Sequence, residues 1–68
     1  MSSDQLDDVV ARLQQINEEL ADLAIERLKR SVVDNESGAA DEERQITRAR
    51  RAVEKATGIL AGLRSPSY

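Results

Sequence analysis

The 68-residue sequence predicts an all-α fold, a two-helix antiparallel hairpin that dimerises into a four-helix bundle. Hydrophobic residues make up 40% of the chain and charged residues 34%, with a single proline, which is typical of long helices or coiled coil. Apolar residues recur at spacings of three and four in two segments, separated by turn-forming residues. The sequence contains no cysteine and no histidine, so disulfide bonds and the commonest metal ligands are not available to stabilise a small fold. Folded alone, such a chain buries only about 60% of its surface, so we expect it to associate.

The first helix is predicted over about residues 3–33. Asp4 lies in its first turn, while Lys29 and Arg30 lie near its end, and both placements suit the helix dipole. Its apolar stripe follows a heptad pattern and consists of Leu6, Val9, Leu13, Ile16, Leu20 and Leu23. The segment 34–38, Asp-Asn-Glu-Ser-Gly, has the composition of a short connection between helices.

The second helix is predicted over about residues 41–63, with Asp41 in an acidic first turn and Gly62 as a cap. Residues 64–68 are then a frayed C-terminal tail of a single domain that spans 1–68. The stripe predicted to pack on the first helix consists of Ile46, Ala49, Val53, Ala56, Leu60 and Leu63. An antiparallel arrangement pairs Ile46 with Leu28, Ala49 with Ile25, and Val53 with Ala21, with a register displaced by one turn as the alternative.

A second apolar stripe on the first helix predicts self-association. It consists of Ala21, Ile25, Leu28 and Val32, spaced at four, three and four residues. A hairpin alone would leave these side chains in water, whereas a helix with two neighbours would bury them. We therefore expect a homodimer that forms a four-helix bundle, with a heteromeric bundle as the alternative.

Charge is distributed unevenly along the chain. Residues 1–43 carry 4 − 12 = −8 and residues 44–68 carry 6 − 1 = +5, which agrees with the net charge of −3. The second helix carries a basic stripe of Arg44, Arg48, Arg51 and Lys55, on which an anionic partner could bind. We expect a solvated face or salt bridges between copies. Nucleic-acid binding is the alternative, although the acidic half of the chain opposes it and no aromatic stripe is available for base stacking.

The sequence predicts no catalytic, cofactor or metal site. Its neighbouring acidic residues, such as Glu18 and Glu19, point about 100° apart on a helix and do not share a site. The segment from Ile16 to Arg27 resembles the first helix of the all-helical chorismate mutases, in which an inward arginine binds substrate carboxylates. A mutase-like enzyme using Arg12 and Arg27 is therefore a further alternative. The hairpin outline also resembles a family of small ribosomal proteins, but those proteins are strongly basic. The first resemblance covers about a dozen residues and the second differs in charge, so neither carries functional residues over to this chain.

The composition and pattern together predict a small, acidic, cytoplasmic protein. Arginine outnumbers lysine eight to two and alanine is abundant, which indicates a bacterial source. No apolar run approaches the length of a membrane span, and the acidic N-terminus has no signal-peptide character. We expect a non-catalytic protein–protein interaction module, acting as an adaptor, regulator or assembly subunit. Its partners are a second copy and another protein, with the alternatives of a nucleic-acid or ribosome-associated factor and a small enzyme.

Overall fold

The computed structural model describes the backbone of residues 2–64 and the side chains of residues 4–63. Helix α1 spans Ser2–Val33 and helix α2 spans Ser37–Arg64, and the two pack side by side as an antiparallel hairpin. The all-helical, two-helix architecture predicted from the sequence is confirmed. The hairpin measures 49 × 20 × 13 Å, and its smallest dimension is close to the diameter of one α-helix. It is therefore a single layer of two helices.

The connection between the helices is shorter than predicted, and α2 begins at Ser37 instead of 41. Residues 34–36 form the link, in which the carbonyl of Arg30 accepts hydrogen bonds from the backbone N–H groups of Asp34 (3.1 Å) and Glu36 (3.2 Å). Asn35 adopts φ = 56°, a left-handed conformation that asparagine tolerates better than most residues. Asp41 consequently lies beyond the first turn of α2, and this first turn contains no acidic residue.

The end of α2 also differs from the prediction. The helix continues past Gly62 to Arg64, and no glycine among the described residues has positive φ, so Gly62 is not a helix cap. Arg64 belongs to the helix rather than to a tail. The remaining residues of the predicted tail, 65–68, lie outside the described residues.

The contact between the helices uses a different set of residues from the predicted stripes. Leu6, Leu13 and Leu20 on α1 are half-buried as expected, but Ile16 and Leu23 are exposed, and Asn17 lies inside the contact. The buried and half-buried residues repeat at spacings of three and four along both helices. On α1 they include Leu6, Val10, Leu13, Asn17, Leu20, Ala24, Arg27 and Ser31; on α2 they include Ala39, Glu43, Ile46, Arg50, Val53, Thr57 and Leu60.

Three members of the predicted α2 stripe, Ala49, Ala56 and Leu63, are exposed instead of packed on α1. The predicted pairing is also wrong, because Leu28 and Ile25 are exposed on the hairpin. The register is displaced by about one helical turn, and this displacement matches the shortening of the link by four residues. Only Val10, Ala24 and Ala39 are buried apolar residues among those described, so the hairpin contains very little core.

Candidate interaction surfaces

A polar layer crosses the middle of the contact between the helices. The Asn17 Nδ2 group donates a hydrogen bond of 3.3 Å to Glu54 Oε2, and Arg50 Nη2 lies 3.8 Å from the same oxygen. Two buried atoms of this layer, Asn17 Oδ1 and Arg50 Nε, have no hydrogen-bond partner among the described residues. The layer therefore replaces apolar packing with an incompletely satisfied polar network, which limits the stability of the isolated hairpin.

A second polar network lies near the turn and is centred on Arg27. Its Nε atom donates to Glu42 Oε1 on α2 (2.6 Å), and its Nη1 atom donates to Glu26 Oε1 (2.6 Å). Arg30 Nη2 reaches the other carboxylate oxygen of Glu26 at 3.4 Å. The Arg27 side chain is 23% exposed, so its stem covers apolar surface while its guanidinium group joins the two helices.

The arrangement around Arg27 offers little support for substrate binding by this residue and Arg12. Both hydrogen bonds of Arg27 go to carboxylates of the chain itself. Arg12 is exposed on the same helix, fifteen residues away, which corresponds to about 22 Å along the axis. These two guanidinium groups therefore do not converge on one small anion within the hairpin.

The longest apolar surface of the hairpin runs along one of its two broad sides. We call it the long apolar face and define it by Val9, Ile16 and Leu23 of α1 and by Ala49, Ala52, Ala56, Ile59 and Leu63 of α2. Ile16 is 45% exposed and Leu23 39%, while Ile59 and Leu63 are 61% and 67% exposed. At the open end of the hairpin, Val9 borders a shallow depression with Leu6 and Leu60, which places both helices' stripes on the same side.

A shorter apolar surface lies on the opposite broad side, near the turn. It consists of the four residues predicted to mediate self-association, which we call the turn patch: Ala21, Ile25, Leu28 and Val32. Ala21 is half-buried against α2, whereas the other three are exposed, Val32 at 74%. The structure thus brings these four side chains together on one surface, and their role in self-association remains a prediction.

The basic stripe of Arg44, Arg48, Arg51 and Lys55 is exposed along the outer side of α2. Arg44 Nη1 pairs with Asp41 Oδ1 at 2.9 Å, and Arg48 Nη1 donates to Gln45 Oε1 at 3.1 Å, both within α2. Within the described part of the hairpin, the stripe makes no ion pair with α1. A fifth cation of the helix, Arg50, lies in the contact with α1 instead of on the stripe.

The described residues contain no group of three or more acidic side chains that could hold a metal ion. Neither described helix combines the length and the apolar composition that a membrane crossing requires. The shallow depressions at the hairpin surface are open to solvent, and the one at the turn is lined by Arg27, Asp41, Glu42, Gln45 and Ile46. The most extensive features available for binding are therefore the two apolar surfaces and the basic stripe.

Comparisons with protein-family models, with curated proteins and with solved structures found no match to this chain.

Two features of the candidate surfaces were missed from the sequence. The first is the polar layer, because Asn17 and Arg50 flank the apolar stripes and their inward placement depends on the register of the hairpin. The second is the outward direction of Ile16, Leu23, Ala49 and Ala56. The spacing of these residues does not indicate it, because their direction depends on the register and on the length of the link.

Proposed function

We propose that this protein is a non-catalytic protein–protein interaction module that works as a dimer of helical hairpins, in the role of an adaptor, regulator or assembly subunit in the cytoplasm. The observation that carries the proposal is the distribution of apolar side chains. Most of the large ones remain at least partly exposed, on two opposite sides of a single-layer hairpin, while only Val10 of the described large residues is fully buried. Stable domains bury such side chains between two layers, so a second layer must be supplied by association.

Two separate apolar surfaces suit two different contacts. A face-to-face dimer of a flat hairpin covers one broad side of each chain and leaves the other side in water. One surface is therefore available for a second copy and the other for a different protein. The turn patch is the smaller of the two, and its exposed residues Ile25, Leu28 and Val32 project from neighbouring turns of α1, as the anchors of a helix-binding interface do.

Binding experiments with three baits test this proposal. The wild-type chain, Leu28→Glu and Arg51→Glu are compared for the proteins that they retain from cell extract, with bound proteins quantified by mass spectrometry. We expect one or a few proteins to be retained in constant ratio by the wild type and by Arg51→Glu, and to be lost with Leu28→Glu. A chain whose only specific partner is lost with Arg51→Glu and unaffected by Leu28→Glu would contradict the proposal.

The second candidate function is nucleic-acid binding through the basic stripe. It is favoured by one observation: Arg51 and Lys55 are exposed and have no carboxylate partner among the described residues. This function predicts affinity for short RNA or DNA duplexes that falls by orders of magnitude between about 50 and 200 mM salt and disappears in an Arg48→Glu, Arg51→Glu variant. Binding that is undetectable at the lower salt concentration would exclude it.

A further inference from the structure

We infer that the long apolar face is covered by a second copy of this chain, docked about a two-fold axis parallel to the helices. In this arrangement each α1 lies beside the α2 of its partner, and both turns are at the same end of the bundle. The inference rests on the proposed dimeric function and adds to it the face, the partner helix and the register.

The directions of the two apolar stripes support a second copy on this face. With about 103° between successive residues of a heptad, the stripe from Leu6 to Leu23 is centred roughly 50° away from the direction of α2. The stripe from Ile46 to Leu63 is rotated from the direction of α1 by the same amount, toward the same broad side. In a four-helix bundle each helix occupies a corner and points its apolar stripe at the centre, about 45° from either neighbour. The hairpin therefore has the side-chain orientation of half a four-helix bundle.

The chain exposes more surface than a compact monomer of its mass, and the excess is close to the area that a stable dimer buries on each partner. The chain exposes 5159 Å², whereas a compact monomer of 7.5 kDa is expected to expose about 4,200 Å². The excess is roughly 900 Å², and a stable interface of standard size buries about 800 Å² on each partner. The radius of gyration of 15.6 Å, compared with about 11 Å for a compact domain of this length, shows the same lack of a second layer.

The sizes of the side chains select which helices become neighbours. The large residues Ile16 and Leu23 lie on α1, whereas the α2 part of the long apolar face contains three alanines, Ala49, Ala52 and Ala56. A two-fold axis parallel to the helices leaves every residue at its own height. Because Asn17 is level with Glu54 in the hairpin, Ile16 then meets Ala52 and Ala56 of the partner chain. In the middle of the bundle the large side chains of α1 therefore pack against alanines of α2, while at the open end Val9 lies near the height of Ile59 and Leu63 of the partner chain.

The opposite arrangement, with α1 beside the partner's α1, gives a poorer fit. It sets Ile16 and Leu23 against the same large residues of the second copy, and alanines against alanines. The two pairs of helices would then require different separations within one bundle, leaving voids on the α2 side or overlap on the α1 side.

Charge selects the same arrangement. By sequence α1 carries 4 − 7 = −3 and α2 carries 6 − 4 = +2. Placing each α1 between two α2 helices puts opposite charges next to each other and like charges on the diagonals. The edge of the interface shows the same complementarity of charge. With the register of the hairpin retained in the dimer, Asp22 lies level with Arg48 of the other copy and Lys29 lies level with its Asp41. In this arrangement the turn patch stays outside the dimer, in place of the self-association predicted for it from the sequence, and it remains available to a different protein.

A pair of matched variants tests the face. Ile16→Glu and Ile25→Glu make the same substitution on the same helix, at side chains that are 45% and 56% exposed on the hairpin, one on the long apolar face and one in the turn patch. The mass in solution is measured by light scattering over a dilution series, with circular dichroism to follow helix content. We expect the wild type and Ile25→Glu to dimerise with similar dissociation constants, and Ile16→Glu to dimerise at least 100-fold more weakly. Loss of the dimer in Ile25→Glu alone would overturn the inference and favour the turn patch.

Cysteine cross-linking tests the arrangement directly, because the sequence contains no cysteine that could compete with an introduced pair. Glu19→Cys and Ala52→Cys are prepared separately, mixed, refolded together and oxidised. We expect a disulfide between the two different chains, which requires Cα atoms within about 7 Å, and little cross-linking in either variant alone. Efficient cross-linking of Glu19→Cys to itself would show α1 beside α1 and overturn the inference. A wild type that is monomeric would refute the proposed dimeric function itself, whereas a dimer with the wrong cross-links would refute only this arrangement.

Discussion

Replacing Asn17 by leucine is predicted to stabilise the protein, because this amide lies inside the contact between the helices without full hydrogen bonding. Its buried Oδ1 atom has no partner among the described residues, and an unsatisfied buried acceptor costs about 1–3 kcal/mol. The bond from Nδ2 to Glu54 is 3.3 Å long and exposed, so its loss removes little. A leucine at this half-buried position gains part of the ~1.5–3 kcal/mol of full burial. We therefore expect Asn17→Leu to raise the free energy of unfolding by about 1–3 kcal/mol.

The assay is thermal unfolding followed by circular dichroism at one fixed protein concentration, because association makes the midpoint depend on concentration. For a chain of this size each kcal/mol corresponds to about 4–8 °C. The control is Gln15→Leu, an exposed position two residues before, which should change the midpoint very little. A lower midpoint for Asn17→Leu, with the mass in solution unchanged, would refute the reasoning. It would mean that the amide is fully satisfied and contributes to stability, or fixes the register as a buried asparagine does in coiled coils.

Three further substitutions have expected outcomes that thermal unfolding can check. Gly58→Ala should stabilise α2 by about 0.5–1 kcal/mol, because a Cβ atom at this helical position meets no other atom within 4 Å; a decrease would indicate a close contact at Gly58. Arg27→Ala should cost about 1 kcal/mol by removing the bonds to Glu26 and Glu42 and the covering stem, and the loss should shrink in Arg27→Met, which retains the stem. Asn35→Ala should cost about 1 kcal/mol because of the positive φ, whereas Asn35→Gly should not; equal effects of the two would contradict the left-handed conformation.

The helices themselves could be predicted from the sequence because their signals are local. The heptad spacing from Leu6 to Leu23 and from Ile46 to Leu63 is sufficient to define two amphipathic helices and their approximate lengths. The turn was also predictable, since Asn35 lies among residues that favour connections. Exact helix ends are set by weaker preferences. The helical start at Ser37, which includes Gly38, could not be read from composition.

The register and the packed faces could not be predicted, because they depend on the length of the link. Each residue removed from the link rotates α2 by about 100° and moves it 1.5 Å along its axis. A difference of four residues therefore displaced the register by a turn and removed the expected contacts of Leu28 and Ile25. In the predicted hairpin the most apolar stripe of each helix also faces the other helix. In a single layer of two helices, the stripe can instead point between the other helix and a solvent-exposed broad side, as Ile16 and Ala56 do.

The candidate surfaces were predictable only in part. The turn patch was identified from the spacing of Ile25, Leu28 and Val32 alone, and the structure leaves these side chains exposed. The basic stripe was identified in the same way from its spacing. Most residues of the long apolar face were assigned to the predicted stripes and placed inside the hairpin, whereas Ala52 and Ile59 belonged to neither stripe. The exposure of this face follows from the three-dimensional positions of Asn17 and Arg50, which occupy the inner positions instead.

The most direct test of the central claim is the mass of the wild-type chain in solution, measured by light scattering from high to low micromolar concentration together with its helix content. We predict twice the chain mass of 7.5 kDa, with full helix content, down to low micromolar concentration. A mass of one chain throughout, with helix content unchanged on dilution, would contradict the claim that this hairpin requires a second layer.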